Sequence, residues 1–369
     1  MSARLQQTPL GEIVTLDKIE SAFRRFWRAA ADDGSAEAVL KASTLNLIIY
    51  TQQAEKYREV VDQIDQIISH HPGRIIVIYV SKDDREEINA RLSAYFQEFR
   101  SAPKQIIAEV IMLETGRRGF QHLAGAVLPL LLPDLPVYFW CTFSCVLIHP
   151  HLKPLFRYTD RLIVSTEPEY KSPRELAQAL ETIIGLEQEC GISDLNWSKL
   201  TPWREAVAQF FDREKGRAYL HRLSEVEIVH SGAHLSTHAL LLAGWLSSGL
   251  QNIGSVPTNA DDATIYYRRR VENIAIKIRR KQVPGIIGLF KVKLIAEENE
   301  KAVILTVTAQ PDGSLQTSTQ IGGSISSGAA VRLNTAHDAQ LLCNELDFSG
   351  QDQVYLNTVK NIVEYLHES

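Results

Sequence analysis

Apolar, β-branched runs that alternate with amphipathic helical patterns constrain this chain more than any other feature. Residues 45–50, 74–80, 105–112, 135–141 and 161–165 form near-continuous runs of strand-forming side chains. Between them the spacing predicts helices near 53–70, 84–98, 117–130 and 172–188. Strands that are apolar on both sides must be covered on both faces, and a parallel sheet with crossover helices does this. In the first of these helices Tyr57, Val60, Val61, Ile64, Ile67 and Ile68 recur at the helical period and face the sheet. Residues 17–30 read as an amphipathic arm, with Ile19, Phe23, Phe26 and Ala30 on one stripe and Lys18, Arg24, Arg25 and Arg28 mostly off it.

The pattern changes after Cys190-Gly191. Thr201-Pro202 opens a helix, the threonine offering a cap oxygen and the proline sitting where its missing N–H costs nothing. A strand over 226–230 and an apolar helix over 234–250 follow, the latter stopped at Gly249. Strands over 264–270, 273–280, 288–296 and 302–309 are then separated by Pro284-Gly285, Glu298-Asn299 and Pro311-Asp312-Gly313, which predicts an antiparallel meander. The Gly/Ser-rich stretch 322–328 reads as a loop before a closing helix over 350–367. The expected architecture is α/β: a doubly wound, mostly parallel sheet domain over 1–190 with its helical arm, then connector helices and an α+β domain over 191–369.

Composition narrows the function. A hydrophobic share of 45% is that of a globular protein, and a net charge of −5 gives no global attraction to nucleic acid or anionic lipid. Four cysteines are too few for a secreted disulfide framework, and the start Met1-Ser2-Ala3-Arg4-Leu5 lacks the apolar core of a signal peptide, so the cytoplasm is expected. The apolar stretch 123–148 is interrupted by Pro129, Pro133, Asp134 and Pro136, leaving runs too short to cross a bilayer as a helix. Neither a nucleic acid nor a membrane is an expected partner.

Several residue groups invite chemistry. A doubly wound sheet holds ligands at the carboxyl ends of its strands, yet the first strand is followed by Thr51-Gln52-Gln53-Ala54, with no glycine to let a phosphate reach the backbone. Gly116-Arg117-Arg118-Gly119 could hold a phosphate or carboxylate through its guanidinium groups and a helix start, or could be a tight turn with solvated arginines. His230, His234 and His238 recur at spacings of four, with His234 and His238 on one face of the expected helix; without an acidic or cysteine partner they read as core-edge histidines, and no metal or cofactor is expected. Cys141 and Cys145 on an extended strand would stand about 13 Å apart, too far to bridge, whereas a helical turn would bring them close; their apolar neighbours make them read as buried thiols. Arg268, Arg269, Arg270, Lys277, Arg279, Arg280, Lys281, Lys291 and Lys293 face the single acid Glu272. With the isoleucines of 274–278 on one face, Lys277 and Arg279 share the other, which suits an acidic partner, a phosphorylated ligand or a solvated sheet face.

Taken together, His71-Pro72-Gly73-Arg74, Leu130-Leu131-Leu132-Pro133-Asp134-Leu135-Pro136-Val137 before Tyr138-Phe139-Trp140, Asp194-Leu195-Asn196-Trp197, Pro202-Trp203-Arg204-Glu205 with Ala208-Gln209-Phe210-Phe211-Asp212, and Leu241-Leu242-Ala243-Gly244-Trp245-Leu246 resemble the glucose-6-phosphate dehydrogenase assembly protein family OpcA. The resemblance implies an accessory protein, not an enzyme, that binds glucose-6-phosphate dehydrogenase, favours its active oligomer and raises its activity within the oxidative pentose phosphate pathway. It carries no catalytic residue. The family strand often has a tryptophan pair where this chain has Phe139-Trp140. Cysteine redox control of cyanobacterial members would make thioredoxin a partner, but Cys141, Cys145, Cys190 and Cys343 match no regulatory position of the family. Trp140, Trp197, Trp203, Arg204, Lys277 and Arg279 are the expected partner contacts, aromatic and arginine anchors beside a basic face, with burial the stronger reading for Trp203. The rival expectation is an enzyme or sensor for a phosphorylated sugar or nucleotide, built on Gly116, Arg117, Arg118 and Gly119.

Overall fold

The computed structural model describes residues 4–7, 13–32, 43–99, 102–143, 150–166, 169–170, 172–212, 214–232, 234–250, 262–269, 272–298, 301–333, 338–348 and 350–368. Cys145, Arg270 and Asn299, singled out above, lie outside them. In chain order the strands are β1 (Arg4–Gln7), β2 (Leu45–Thr51), β3 (Gly73–Val80), β4 (Asn89–Phe99), β5 (Ala102–Thr115), β6 (Val137–Cys141), β7 (Arg161–Val164), β8 (Glu169–Tyr170), β9 (Gly191–Asp194), β10 (Leu223–Ser231), β11 (Leu235–Ser236), β12 (Asp262–Arg269), β13 (Glu272–Arg280), β14 (Gly288–Glu298), β15 (Lys301–Ala309), β16 (Ser314–Ile321) and β17 (Ser324–Arg332). The helices are α1 (Ile19–Asp32), α2 (Ala54–His70), α3 (Leu123–Val127), α4 (Lys153–Phe156), α5 (Pro173–Gly185), α6 (Leu195–Lys199), α7 (Thr201–Ala208), α8 (Glu214–Leu220), α9 (Thr237–Leu250), α10 (Asp338–Asp347) and α11 (Gln353–Glu368). Among the described residues no helix is long and apolar enough to cross a membrane.

Two compact units divide the chain, and both are discontinuous. The first takes Met1–Ser165, Leu186–Ser193 and His337–Gln351; the second takes Thr166–Gly185, Asp194–Ala336 and Asp352–Ser369. Instead of a single cut near 190, α5 goes with the second unit and α10 with the first.

The sheet of the first unit runs β1-β4-β5-β3-β2-β6-β7-β9. Its centre is parallel, from β5 through β3, β2 and β6 to β7, and every residue of β2 and of β7 is buried. Their unbroken apolar runs follow from cover on both faces. On α2, Val60, Ile64, Ile67 and Ile68 are the buried stripe. The helix expected over 84–98 is corrected: β4 occupies 89–99 and pairs antiparallel with β5. Its helix-forming composition yields to a long partner strand, against which Leu92, Ala94 and Phe96 are buried. The helix expected over 117–130 breaks into α3 flanked by single tight turns at Gly119–His122 and Leu128–Leu130, the second holding Pro129.

Arg74 organises this unit. Its Nε and Nη2 donate to Glu109 Oε2 at 2.8 and 2.6 Å across the β3–β5 pair, while Nη1 reaches the Leu130 carbonyl at 2.7 Å and Glu20 at 2.6 Å. A buried guanidinium is tolerable because each edge is met by an acceptor. Asn46 on β2 likewise fixes the Leu-Pro-Asp-Leu-Pro turn: its Oδ1 accepts from Leu132 N at 2.7 Å and its Nδ2 donates to Leu132 O at 3.0 Å. Inside that turn Asp134 has a φ of 61°, a conformation that asparagine and aspartate tolerate better than most residues.

The sheet of the second unit runs β12-β13-β10-β14-β15-β16-β17. It is not a simple meander, because β10 lies between β13 and β14, parallel to the former and antiparallel to the latter. Val226 and Ile228, with Ile276 and Ile278, Val292 and Leu294, and Val303, Leu305 and Val307, bury one face. The stretch 322–328 is the turn and start of the β16–β17 hairpin, not a loop. Strands expected from 264 and 302 match β12 and β15 within two residues.

Candidate functional site

In the first unit the order of strands reverses between β2 and β6, and at such a switch point a doubly wound sheet binds its ligand beside the carboxyl ends. Here the chain fills the place itself. The Tyr50 ring stacks on Phe120 with centroids 5.9 Å apart and lies 5.7 Å from Phe143, and Gln52 Nε2 donates to the Tyr50 hydroxyl at 2.6 Å. Burial raises the Tyr50 pKa, so the hydroxyl stays neutral. Gln53 N donates to Thr51 Oγ1 at 3.2 Å, so the turn is closed by a side chain without any glycine.

The Gly116-Arg117-Arg118-Gly119 loop packs against the segment from Asp83 to Glu86. Arg117 N donates to Asp83 O at 2.8 Å and Gly119 N to Arg85 O at 3.2 Å, while the Arg117 guanidinium pairs with Asp84 at 2.9 Å. A Cβ on Gly116 would fall 2.3 Å from Asp83 Oδ1 and one on Gly119 would fall 2.4 Å from Glu86 O. The glycines admit a neighbouring backbone with its acids, which engages two of the loop's backbone N–H groups and the Arg117 guanidinium. Arg118 remains exposed.

In the second unit the segment from Asp194 to Arg204 forms a buried polar knot. Asp194 caps α6, accepting from Asn196 N at 2.9 Å, Thr166 Oγ1 at 2.8 Å and the Tyr355 hydroxyl at 3.3 Å. Burial raises its pKa, and these donors act in the opposite direction. Trp197 Nε1 donates to Asp352 at 2.8 Å, its ring lies 5.7 Å from Tyr355, and the Arg204 guanidinium sits 3.7 Å from its centroid. Arg204 Nη2 also donates to Thr201 Oγ1 at 2.9 Å. Thr201 therefore caps nothing: it is the first residue of α7, which Leu200 precedes.

The expected partner contacts separate accordingly. Trp140, Trp197 and Trp203 are 1%, 3% and 4% exposed, so these rings are packing and not surface, and Arg204 is held against one of them. Lys277 and Arg279 do share the open face of β13, but they pair with Glu225 and Glu227 of β10. Sequence reasoning missed these acids because the strand paired with β13 comes from 50 residues upstream, Glu225 standing opposite Ala275. His234 lies before α9, so it shares no helix face with His238, while His230 is buried on β10. Among the described residues no group of three or more histidines, cysteines or acids is placed to hold a metal. Cys141 is not a buried thiol but is disulfide-bonded, its counterpart lying outside the described residues. Cys190 and Cys343 are buried free thiols whose pKa burial pushes up to about 11, leaving little thiolate at neutral pH.

One opening was not foreseen. A cleft of about 900 Å³ in the second unit is lined by Ser231, Ser236, His238 and the loop from Gln282 to Gly288. The apolar turn Val283-Pro284-Gly285-Ile286-Ile287 was the available signal, legible only as punctuation between strands.

Fold and packing define an α/β protein with a doubly wound, mostly parallel sheet, in which the rings of Tyr50, Phe120 and Phe143 pack together beside the ends of β2 and β6. Its architecture is similar to that of glucose-6-phosphate 1-dehydrogenase from Mycobacterium avium, with a TM-score of 0.52 and 12% identity over 87% of this chain and 91% of that one. The 3-ketoreductase KijD10 from Actinomadura kijaniata follows at 0.51 and 9% identity, over 88% of this chain and 96% of that one. At such identities the likeness is one of fold. Residues 64–181 match the glucose-6-phosphate dehydrogenase subunit N-terminal domain and 190–359 the corresponding C-terminal domain. The chain belongs to this family, OpcA. A curated OxPP cycle protein OpcA from Synechocystis sp. is 30% identical over 189 residues, 51% of this chain and 39% of that protein. Its counterpart in Nostoc punctiforme is 24% identical over 303 residues, 79% of this chain and 64% of that protein. The chain thus spans between about four tenths and two thirds of the length of these relatives.

Proposed function

We propose that this chain is a non-catalytic accessory protein of the oxidative pentose phosphate route, which binds glucose-6-phosphate dehydrogenase and favours its active oligomer. The observation that carries the reading is the ordered match of both dehydrogenase-subunit domains, over 64–181 and 190–359. The closed crevice around Tyr50 supports it, because a chain that does no chemistry has no need of that ligand position. An effector that binds the active form of an enzyme more tightly than the inactive one shifts the equilibrium by that difference in affinity, without reacting groups of its own. The contact surface then rests on the exposed parts of the second unit, with Lys277 and Arg279 retained. Purified glucose-6-phosphate dehydrogenase is expected to co-elute with this protein and to gain activity in its presence. Unchanged kinetics together with separate elution would overturn the proposal.

A further inference from the structure

In the second unit β13 and β14 are joined by a loop with a rigid shape. Val283-Pro284-Gly285-Ile286 is a tight turn in which Ile286 N donates to Val283 O at 3.2 Å and Gly285 takes a φ of 76°. Proline followed by glycine suits such a turn, since the third position needs a positive φ. Val283 N donates to Ser231 Oγ at 3.2 Å and Gln282 Nε2 to Gly232 O at 3.1 Å, tying the loop to the end of β10. Held this way, the loop presents Ile287 at 95% exposure. Arg279, Arg280 and Lys281 are exposed at its base.

The cleft beside the loop has the opposite character. None of its lining side chains carries a fixed charge, which favours a neutral occupant over one whose charge would be buried unpaired. Its one distinctive polar group is His238. The Asn196 amide nitrogen donates to Thr166, which leaves Asn196 Oδ1 as an acceptor 3.2 Å from His238 Nε2. Nε2 must therefore carry the hydrogen, and Nδ1 is the acceptor that His238 brings to the cleft. Burial, aided by Lys199, lowers the His238 pKa to about 4, so this arrangement holds throughout the neutral range.

We propose that the cleft and the Ile287 loop form a docking socket for a partner protein. The cleft takes a neutral tyrosine or tryptophan side chain that donates to His238 Nδ1, the partner's surface covers Ile287, and acids on its rim meet Arg279, Arg280 and Lys281. Ile287 lines the cleft yet is 95% exposed, so a small molecule would cover little of it, whereas a polypeptide laid across the cleft buries it. The inference rests on the reading that the chain binds glucose-6-phosphate dehydrogenase, and that enzyme is the probe.

Binding of the full chain to the dehydrogenase is measured by calorimetry for the wild type, Ile287→Asp, His238→Phe and, as a control in the first unit, Arg118→Ala. Ile287→Asp is expected to weaken binding at least about tenfold with no change in thermal midpoint, because the side chain is already in water. His238→Phe keeps the ring and loses the acceptor, and is expected to weaken binding by about fivefold to tenfold. Arg118→Ala binds as the wild type does. If the wild type binds and Ile287→Asp binds within twofold of it, the socket is overturned and the accessory reading stands. If the wild type itself does not associate, both fall. Should His238→Phe fail to fold, the exposed Ile287 variant decides alone.

Discussion

The two places where this fold could receive a ligand are finished in opposite ways. At the carboxyl ends of β2 and β6 the chain packs Tyr50, Phe120 and Phe143 into its own crevice. Beside the first turn of α9 it leaves about 900 Å³ open under a rigid apolar turn. The difference teaches that a doubly wound sheet can give its switch point to aromatic packing while an opening forms elsewhere in the chain, because fold does not fix function.

Three measurements would break or sharpen the contrast. The largest effect is expected from Tyr50→Ala, which removes a buried ring from the closed crevice: about 3–5 kcal/mol of stability should be lost in denaturant unfolding, with affinity for the dehydrogenase unchanged wherever the variant is folded. A marked loss of affinity at intact fold would place recognition in the first unit. The next concerns acid. His238 binds its proton near pH 4 when folded and near 6.5 when unfolded, so between these values the unfolded chain holds more protons. Stability should be complete above pH 6.5 and fall as pH drops toward 4, by about 2–3 kcal/mol, and urea unfolding across that range should show a flatter slope for His238→Gln. A slope identical to the wild type would mean that the ring is already solvated at the open site. The smallest effect on stability belongs to Lys277→Glu with Arg279→Glu, below about 1 kcal/mol because the pairs with Glu225 and Glu227 are at the surface. The same variant should weaken association with the dehydrogenase most at low salt, and equal affinity at every ionic strength would remove this face from the contact.

Much of the first unit was legible in the sequence, because β2, β3, β6 and β7 are covered on both faces and their apolar runs announce it. β4 was not, since Arg91, Leu92, Ala94, Gln97 and Glu98 favour a helix locally and become a strand only through pairing with β5. β17 escaped notice for a related reason: Ser326, Ser327, Gly328 and Ala330 have little strand propensity, and the hairpin with β16 supplies the order. The family-bearing motifs proved to be structural. Arg74, Asp134, Asp194 and Trp197 mark a buried ion pair, a left-handed turn, a helix cap and an anchored ring. They identify the chain well and point to a partner poorly. The placement of Glu225 and Glu227 beside the basic strand could not be read locally, because the insertion of β10 is a decision of topology.

The return of α10 to the first unit sets a schedule for its birth. Lys56 on α2 pairs with Asp338 at 2.6 Å, and His71 Nε2 donates to the Cys343 carbonyl at 3.0 Å, so the flank of α2 waits for residues that the ribosome adds much later. At about 5–20 residues per second the ribosome needs roughly 13–54 s to go from the end of α2 to the start of α10. For that interval the flank of α2 stands without its α10 partners on the nascent chain, and a chaperone that shields it would be expected to raise the yield of folded protein.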